Sequence, residues 1–273
     1  SRSKVTIARP PPSGTTPYDA RMSNRTRTVS AVVVVAVLAL IGGGLYWFLR
    51  DDAPDEVDLD TAAEGVSTTG STPGGSSSTA PGGAAPTGID GSWTADTSTG
   101  EFDYESATGT FVGFRVSEEL ASIGAAEAVG RTNAVTGSMT IAGTEVTDAT
   151  FTVDMTRITT NESRRDRRVQ EALNTGQNPT ATFTLTAPID LGADAADGSE
   201  VTATAKGDLT INGVTRAVEF PLQAKLVDGT VVVVGSLDLT FSDYGVTVPS
   251  APIVLSVDDH GVLELQLLLT RTP

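Results

Sequence analysis

VTATAKGDLTINGVTRAVEFPLQAKL (201–226) alternates apolar and polar residues on either side of one short break. Val201, Ala203, Ala205, Leu209 and Ile211 share one face of the first half. Val218, Phe220, Leu222, Ala224 and Leu226 share one face of the second. A period of two puts successive side chains on opposite faces of a strand. Between the halves stands Asn212-Gly213, a pair suited to a primed turn, whose central residues both need positive φ. The stretch predicts an antiparallel hairpin with one wet face and one buried face.

The same period runs through VGFRV (112–116), AVTGSMTI (134–141), FTVDM (151–155), ATFTLTAPI (181–189), VVVVGSLDLTF (231–241) and VLELQLLLT (262–270). Ala142-Gly143, Asp197-Gly198, Asp228-Gly229 and His260-Gly261 punctuate these runs as turns. Eight or nine strands in about 180 residues, mostly joined by short turns, predict an all-β fold, a meandering antiparallel barrel or sandwich. One stretch reads as a short helix, ESRRDRRVQEAL (162–173), with Asn161 or Ser163 as its cap. The stretch 117–133 is long and Ala/Gly-rich and reads as a loop.

Upstream the texture changes twice. Val29–Leu49 (VSAVVVVAVLALIGGGLYWFL) holds 21 residues without a charge. As a helix it would span roughly 32 Å, close to the hydrocarbon core of a bilayer. Arg21, Arg25 and Arg27 precede it, Asp51 and Asp52 follow, and Tyr46, Trp47 and Phe48 stand at its exit end. The charge bias predicts a single-pass anchor with a cytoplasmic N-terminus and the remainder extracytoplasmic. A cleaved signal peptide is the competing reading, but its apolar region is usually shorter. Residues 1–28 are polar and lack an apolar period, as in a disordered tail. MSNRTRT, from Met22, has the form of a basic start to a signal anchor. Residues 50–90, acidic and then rich in Ser, Thr, Gly and Pro, read as a flexible linker. The domain is then 91–273.

Composition narrows the function. Of 18 Lys+Arg and 34 Asp+Glu, 7 and 1 fall in residues 1–50, leaving 11 and 33 beyond and a net charge there of −22. Such a surface repels nucleic acid. Cysteine is absent, so disulfides and zinc-thiolate sites are excluded. The lone histidine, His260 in DDHG (258–261), reads as a hairpin tip rather than a ligand or base. Without Cys or a second His the usual nucleophile–base pairs cannot be built. Asp190, Asp194, Asp197 and Glu200 miss the calcium-loop spacing and read as a solvated loop. No enzyme and no cofactor is expected.

Three motifs occur in order: RRDRRVQEALNTGQNPTATF (164–183), GDLTINGVTRAVEF (207–220) and SDYGV (242–246). Together they resemble the signatures of the YceI-like family across about 90–273. The resemblance implies an extended, lipocalin-like antiparallel barrel that holds a polyisoprenoid or similar amphiphile, with no catalytic residues. Many members carry a His in the second strand region. GFRVSEEL (113–120) carries none, so any role of that His is missing here.

A barrel of about eight strands either fills itself with side chains or leaves room for one ligand. Phe114, Met139, Phe151, Met155, Phe183, Leu209, Phe220, Leu237 and Phe241 take the inward parity and are the expected lining. Gly137, Ala181, Ala203, Ala205, Ala224 and Gly235 fall among them and favour a cavity. The ligand would be a polyprenyl lipid or quinone-like molecule. Arg164 and Arg168, in the one concentrated basic cluster, are candidates for its headgroup, since guanidinium forks suit phosphate. The other reading of that cluster is structural, with Arg165 and Asp166 pinning the segment to the barrel. The alternative to a carrier is a structural or adhesion module with a solid core.

Overall fold

A computed structural model describes residues 53–69, 88–105, 107–121, 124–161, 163–247 and 254–272. The expected tail, the apolar run 29–49 and residues 70–87 lie outside them. Among the described residues no helix is long and apolar enough to cross a membrane.

Eleven strands follow in order: β1 (Gly91–Ala95), β2 (Phe111–Leu120), β3 (Gly124–Thr132), β4 (Val135–Ala142), β5 (Glu145–Asp154), β6 (Thr180–Leu185), β7 (Ile189–Asp190), β8 (Val201–Ile211), β9 (Val214–Val227), β10 (Thr230–Thr240) and β11 (Val254–Arg271). Helix α1 spans Leu59–Thr69 and α2 spans Ser163–Ala172. Eight strands pair in the order β1-β4-β5-β6-β8-β9-β10-β11, and β11 returns to β1 through Trp93↔Arg271 and Ala95↔Leu269. The result is a closed antiparallel barrel. β2 pairs with the earlier part of β11, from Gln266↔Phe111 onward, and carries β3 as a hairpin.

Alternation decides which way each side chain points. On β8, Ala205, Leu209 and Ile211 are buried while Thr202, Thr204, Lys206 and Asp208 are exposed. The turns at Asn212-Gly213 and Asp228-Gly229 have positive φ at both residues, as primed hairpins require. Two expectations about loops and turns change. Residues 117–133 form no long loop, because β2 runs to Leu120 and β3 begins at Gly124. His260-Gly261 is no hairpin tip. β11 continues through it, pairing His260 with Thr240 and Gly261 with Leu239.

The outer wall of β10 and β11 departs from alternation. Val231 to Val234 and Leu267 to Leu269 are all buried, so both faces are covered. On the outer face Val232, Val234 and Leu268 pack against Leu59, Ala62 and Val66 of α1. Asp58 caps that helix. Its Oδ1 accepts hydrogen bonds from the Thr61 backbone N–H and hydroxyl, both at 2.9 Å, and these hold its carboxyl below the usual range. Residues 53–69 are therefore part of the folded domain and not linker. Burying Leu59 and Val66 contributes about 3–6 kcal/mol in area terms.

Beside α1, residues 54–57 are strapped down by charge. Arg115 Nη2 donates to the Pro54 carbonyl, Arg131 Nη2 donates to the Asp55 carbonyl at 2.7 Å, and Val57 N–H donates to Glu264 Oε1 at 3.3 Å. Glu264, 1% exposed, accepts from Arg115 Nε at 2.6 Å and lies 3.5 Å from Arg131 Nη2. Arg115 also meets Glu127 at 2.7 Å. Burial works against both guanidinium charges. For Arg115 the two carboxylates outweigh it and raise the pKa above its ordinary value; for Arg131 burial prevails over Glu264, with Arg115 adding to it, and the pKa is lowered. Arg131 stacks over the Phe111 ring, 4.6 Å from its centroid.

Candidate binding cavity

The inward faces enclose a cavity of about 230 Å³. All nine lining residues expected from parity, Phe114, Met139, Phe151, Met155, Phe183, Leu209, Phe220, Leu237 and Phe241, are on its wall. Ala181, Ala203, Ala205 and Ala224 are there too. Gly137 and Gly235 are not among the lining residues, because Phe151 and Leu222 lie over them. Phe183 and Phe220 meet edge to face, with centroids 5.5 Å apart. Of the lining residues only Thr182, Ser199, Lys225 and Tyr244 carry a side-chain oxygen or nitrogen.

Around one end of the cavity pack α2, through Val169, and the turns at Met155–Arg157 and Phe241–Tyr244. Ile89, Ile189, Leu191 and Ala195 line the other. The three sequence motifs converge at the first end. Asn178 Nδ2 donates to Asn212 Oδ1 at 3.1 Å, and Asn212 Nδ2 donates to the Tyr244 carbonyl at 3.2 Å. Arg216 Nε and Nη2 donate to the Asp243 carbonyl at 3.1 and 3.0 Å. Asp166 Oδ1 accepts from the Thr160 backbone and hydroxyl at 2.7 Å, and Arg165 reaches Asn161 and Glu118. These motif residues hold the end of the barrel together. Arg168 is exposed and does not line the cavity; the Arg164 side chain lies outside the described residues.

Gly213 sits at φ +75°, and a Cβ there would stand 2.9 Å from Asn178 Oδ1. Gly213→Val should therefore cost about 1 kcal/mol or more. A thermal melt checks this; an unchanged Tm would mean that the turn is not under that constraint.

Sequence reasoning did not single out Arg115, Arg131 and Glu264. The available signal was the unbroken apolar runs 231–234 and 267–269, which demand cover on the outer face.

A closed antiparallel barrel with an apolar lumen defines a lipocalin-like barrel protein. Residues 94–269 match the sequence profile of the YceI-like domain, and the chain belongs to that family. No curated protein sequence matches it. Among solved structures it is similar to a polyisoprenoid binding domain from Saccharophagus degradans implicated in plant cell wall breakdown. That pair has 14% identity and a TM-score of 0.49, covering 67% of this chain and 100% of that one. BcnA of Burkholderia cenocepacia is 18% identical with a TM-score of 0.46, over 58% of this chain and 95% of that one. The YceI protein of Campylobacter jejuni is 16% identical with a TM-score of 0.43, over 53% and 85%.

Proposed function

We propose that the barrel binds a polyisoprenoid or a similar amphiphile by its apolar chain, without catalysis. The observation that carries this is the cavity of about 230 Å³ walled almost wholly by carbon. An apolar cavity of ~150 Å³ already binds benzene. Each buried CH₂ contributes about 0.8 kcal/mol, so a chain of about ten carbons gains on the order of 8 kcal/mol before the cost of association. Selection then rests on chain length and shape more than on polar contacts. Membership of the YceI-like family supports the same ligand class. The apolar run 29–49, with arginines before it and aspartates after it, would hold the barrel at the extracytoplasmic face of a membrane.

Organic extraction of the purified protein, followed by mass spectrometry, tests the binding. A prenyl lipid or quinone should be recovered in near-stoichiometric amount. An empty extract, with no uptake of any prenyl compound by the delipidated protein, would make the barrel a structural module.

A further inference from the structure

The lumen is lined by phenylalanines that could easily have crossed it and filled it. Each of four rings instead lies against a glycine on the neighbouring strand. Phe114 faces Gly130 and Phe151 faces Gly137 as direct cross-strand pairs. Phe183 covers Gly207, and Phe241 covers Gly261. Leu222 is seated in the same way on its direct partner Gly235. A Cβ at Gly130 would stand 2.7 Å from Phe114 Cζ, and one at Gly137 would stand 2.7 Å from Phe151 Cδ1. At Gly207 and Gly261 ring atoms of Phe183 and Phe241 would crowd an added Cβ as closely as the Phe114 ring does at Gly130. Carbon atoms pack at about 3.5–4.0 Å, so no side chain fits beneath these rings.

Glycine inside a strand weakens it and marks a close approach. An aromatic ring laid over such a glycine covers the exposed backbone. Here the arrangement has a second effect: the ring is taken out of the lumen and becomes part of the wall. Gly261 shows the distinction clearly, because its sequence context suggests a turn while the strand continues through it.

We infer that these glycine seats set the bore of the barrel, and with it the length and bulk of the apolar chain it accepts. The inference rests on the apolar-chain reading of the cavity. Gly130 is the cleanest position to test, because the obstructing atoms there are side-chain atoms of Phe114 and Ile158. A methyl at 130 must drive the Phe114 ring away from β3 and into the lumen.

Uptake of farnesol and of geranylgeraniol by the delipidated full chain can be read by gel filtration and mass spectrometry. Gly130→Ala should lower geranylgeraniol uptake at least tenfold and farnesol uptake less, with the circular dichroism of the parent. Adding Phe114→Ala to Gly130→Ala should restore geranylgeraniol, since the displaced ring is then gone. If Gly130→Ala does not fold, Gly235→Ala repeats the test with Leu222 as the displaced group. A parent that takes up both alcohols, with a folded variant that matches it for both, overturns the role of the seats. A parent that takes up neither overturns the proposed function itself.

Discussion

Replacing Glu264 with alanine should lower the free energy of unfolding by about 3–5 kcal/mol, the usual cost of breaking a buried ion pair from one side. The carboxylate is 1% exposed and sits between Arg115 and Arg131, themselves 5% and 3% exposed. Among the described residues Arg131 Nε has no hydrogen-bond partner even with Glu264 present. Removing the carboxylate takes the charged partner from buried Arg131 and leaves Arg115 with Glu127 alone. It also removes the acceptor of the Val57 N–H, so the strap should loosen first. Urea denaturation gives the magnitude, and hydrogen exchange across α1 gives the order of events. A loss below about 1 kcal/mol would mean that water reaches the guanidiniums and that the cluster is not sealed.

The second large effect is on binding. Ala203→Leu together with Ala205→Leu should abolish uptake of prenyl alcohols while the barrel stays folded. Both alanines line the lumen, and Ala205 is 1% exposed. The two changes add about six carbons, a benzene's worth, to a cavity of about 230 Å³. The added side chains bury apolar surface, so Tm should hold or rise. Uptake that matches the parent would mean that the alcohol lies elsewhere than in this lumen.

The inner half of this molecule was legible in the sequence. Strict alternation assigned Phe183, Leu209 and Phe220 to one face without knowledge of their neighbours, because a strand's period admits only one alternative. Turn chemistry located Asn212-Gly213 and Asp228-Gly229 for the same kind of reason: few residues tolerate positive φ. The outer half was harder to read. Val232, Val234 and Leu268 occupy the wet parity, and parity alone does not say what covers them. Their cover is α1, about 165 residues upstream of Val232. LDTAAEGVSTT (59–69) stands next to a Ser/Gly/Pro stretch and is short, so its helicity comes from packing more than from propensity. Glycine misled in the opposite direction. At Gly261 and Gly137 it provides room for a ring, and sequence does not distinguish that use from a turn or from plain smallness.

The seating of α1 changes how force passes through the chain. Residues 70–87 begin where α1 ends on the barrel wall and finish at Gly88, whose carbonyl accepts from Arg271 in β11 of the same barrel. Both ends of that stretch are made fast to one body. A pull on the chain from its N-terminal side should therefore be borne first at Pro54–Val57 by the hydrogen bonds from Arg115 and Arg131, and then by the keel of Leu59, Ala62 and Val66. A single nick between 70 and 87 cuts no strand of that load path. It should leave two fragments that co-elute on gel filtration, and the barrel should part from whatever precedes residue 53 only when α1 peels away.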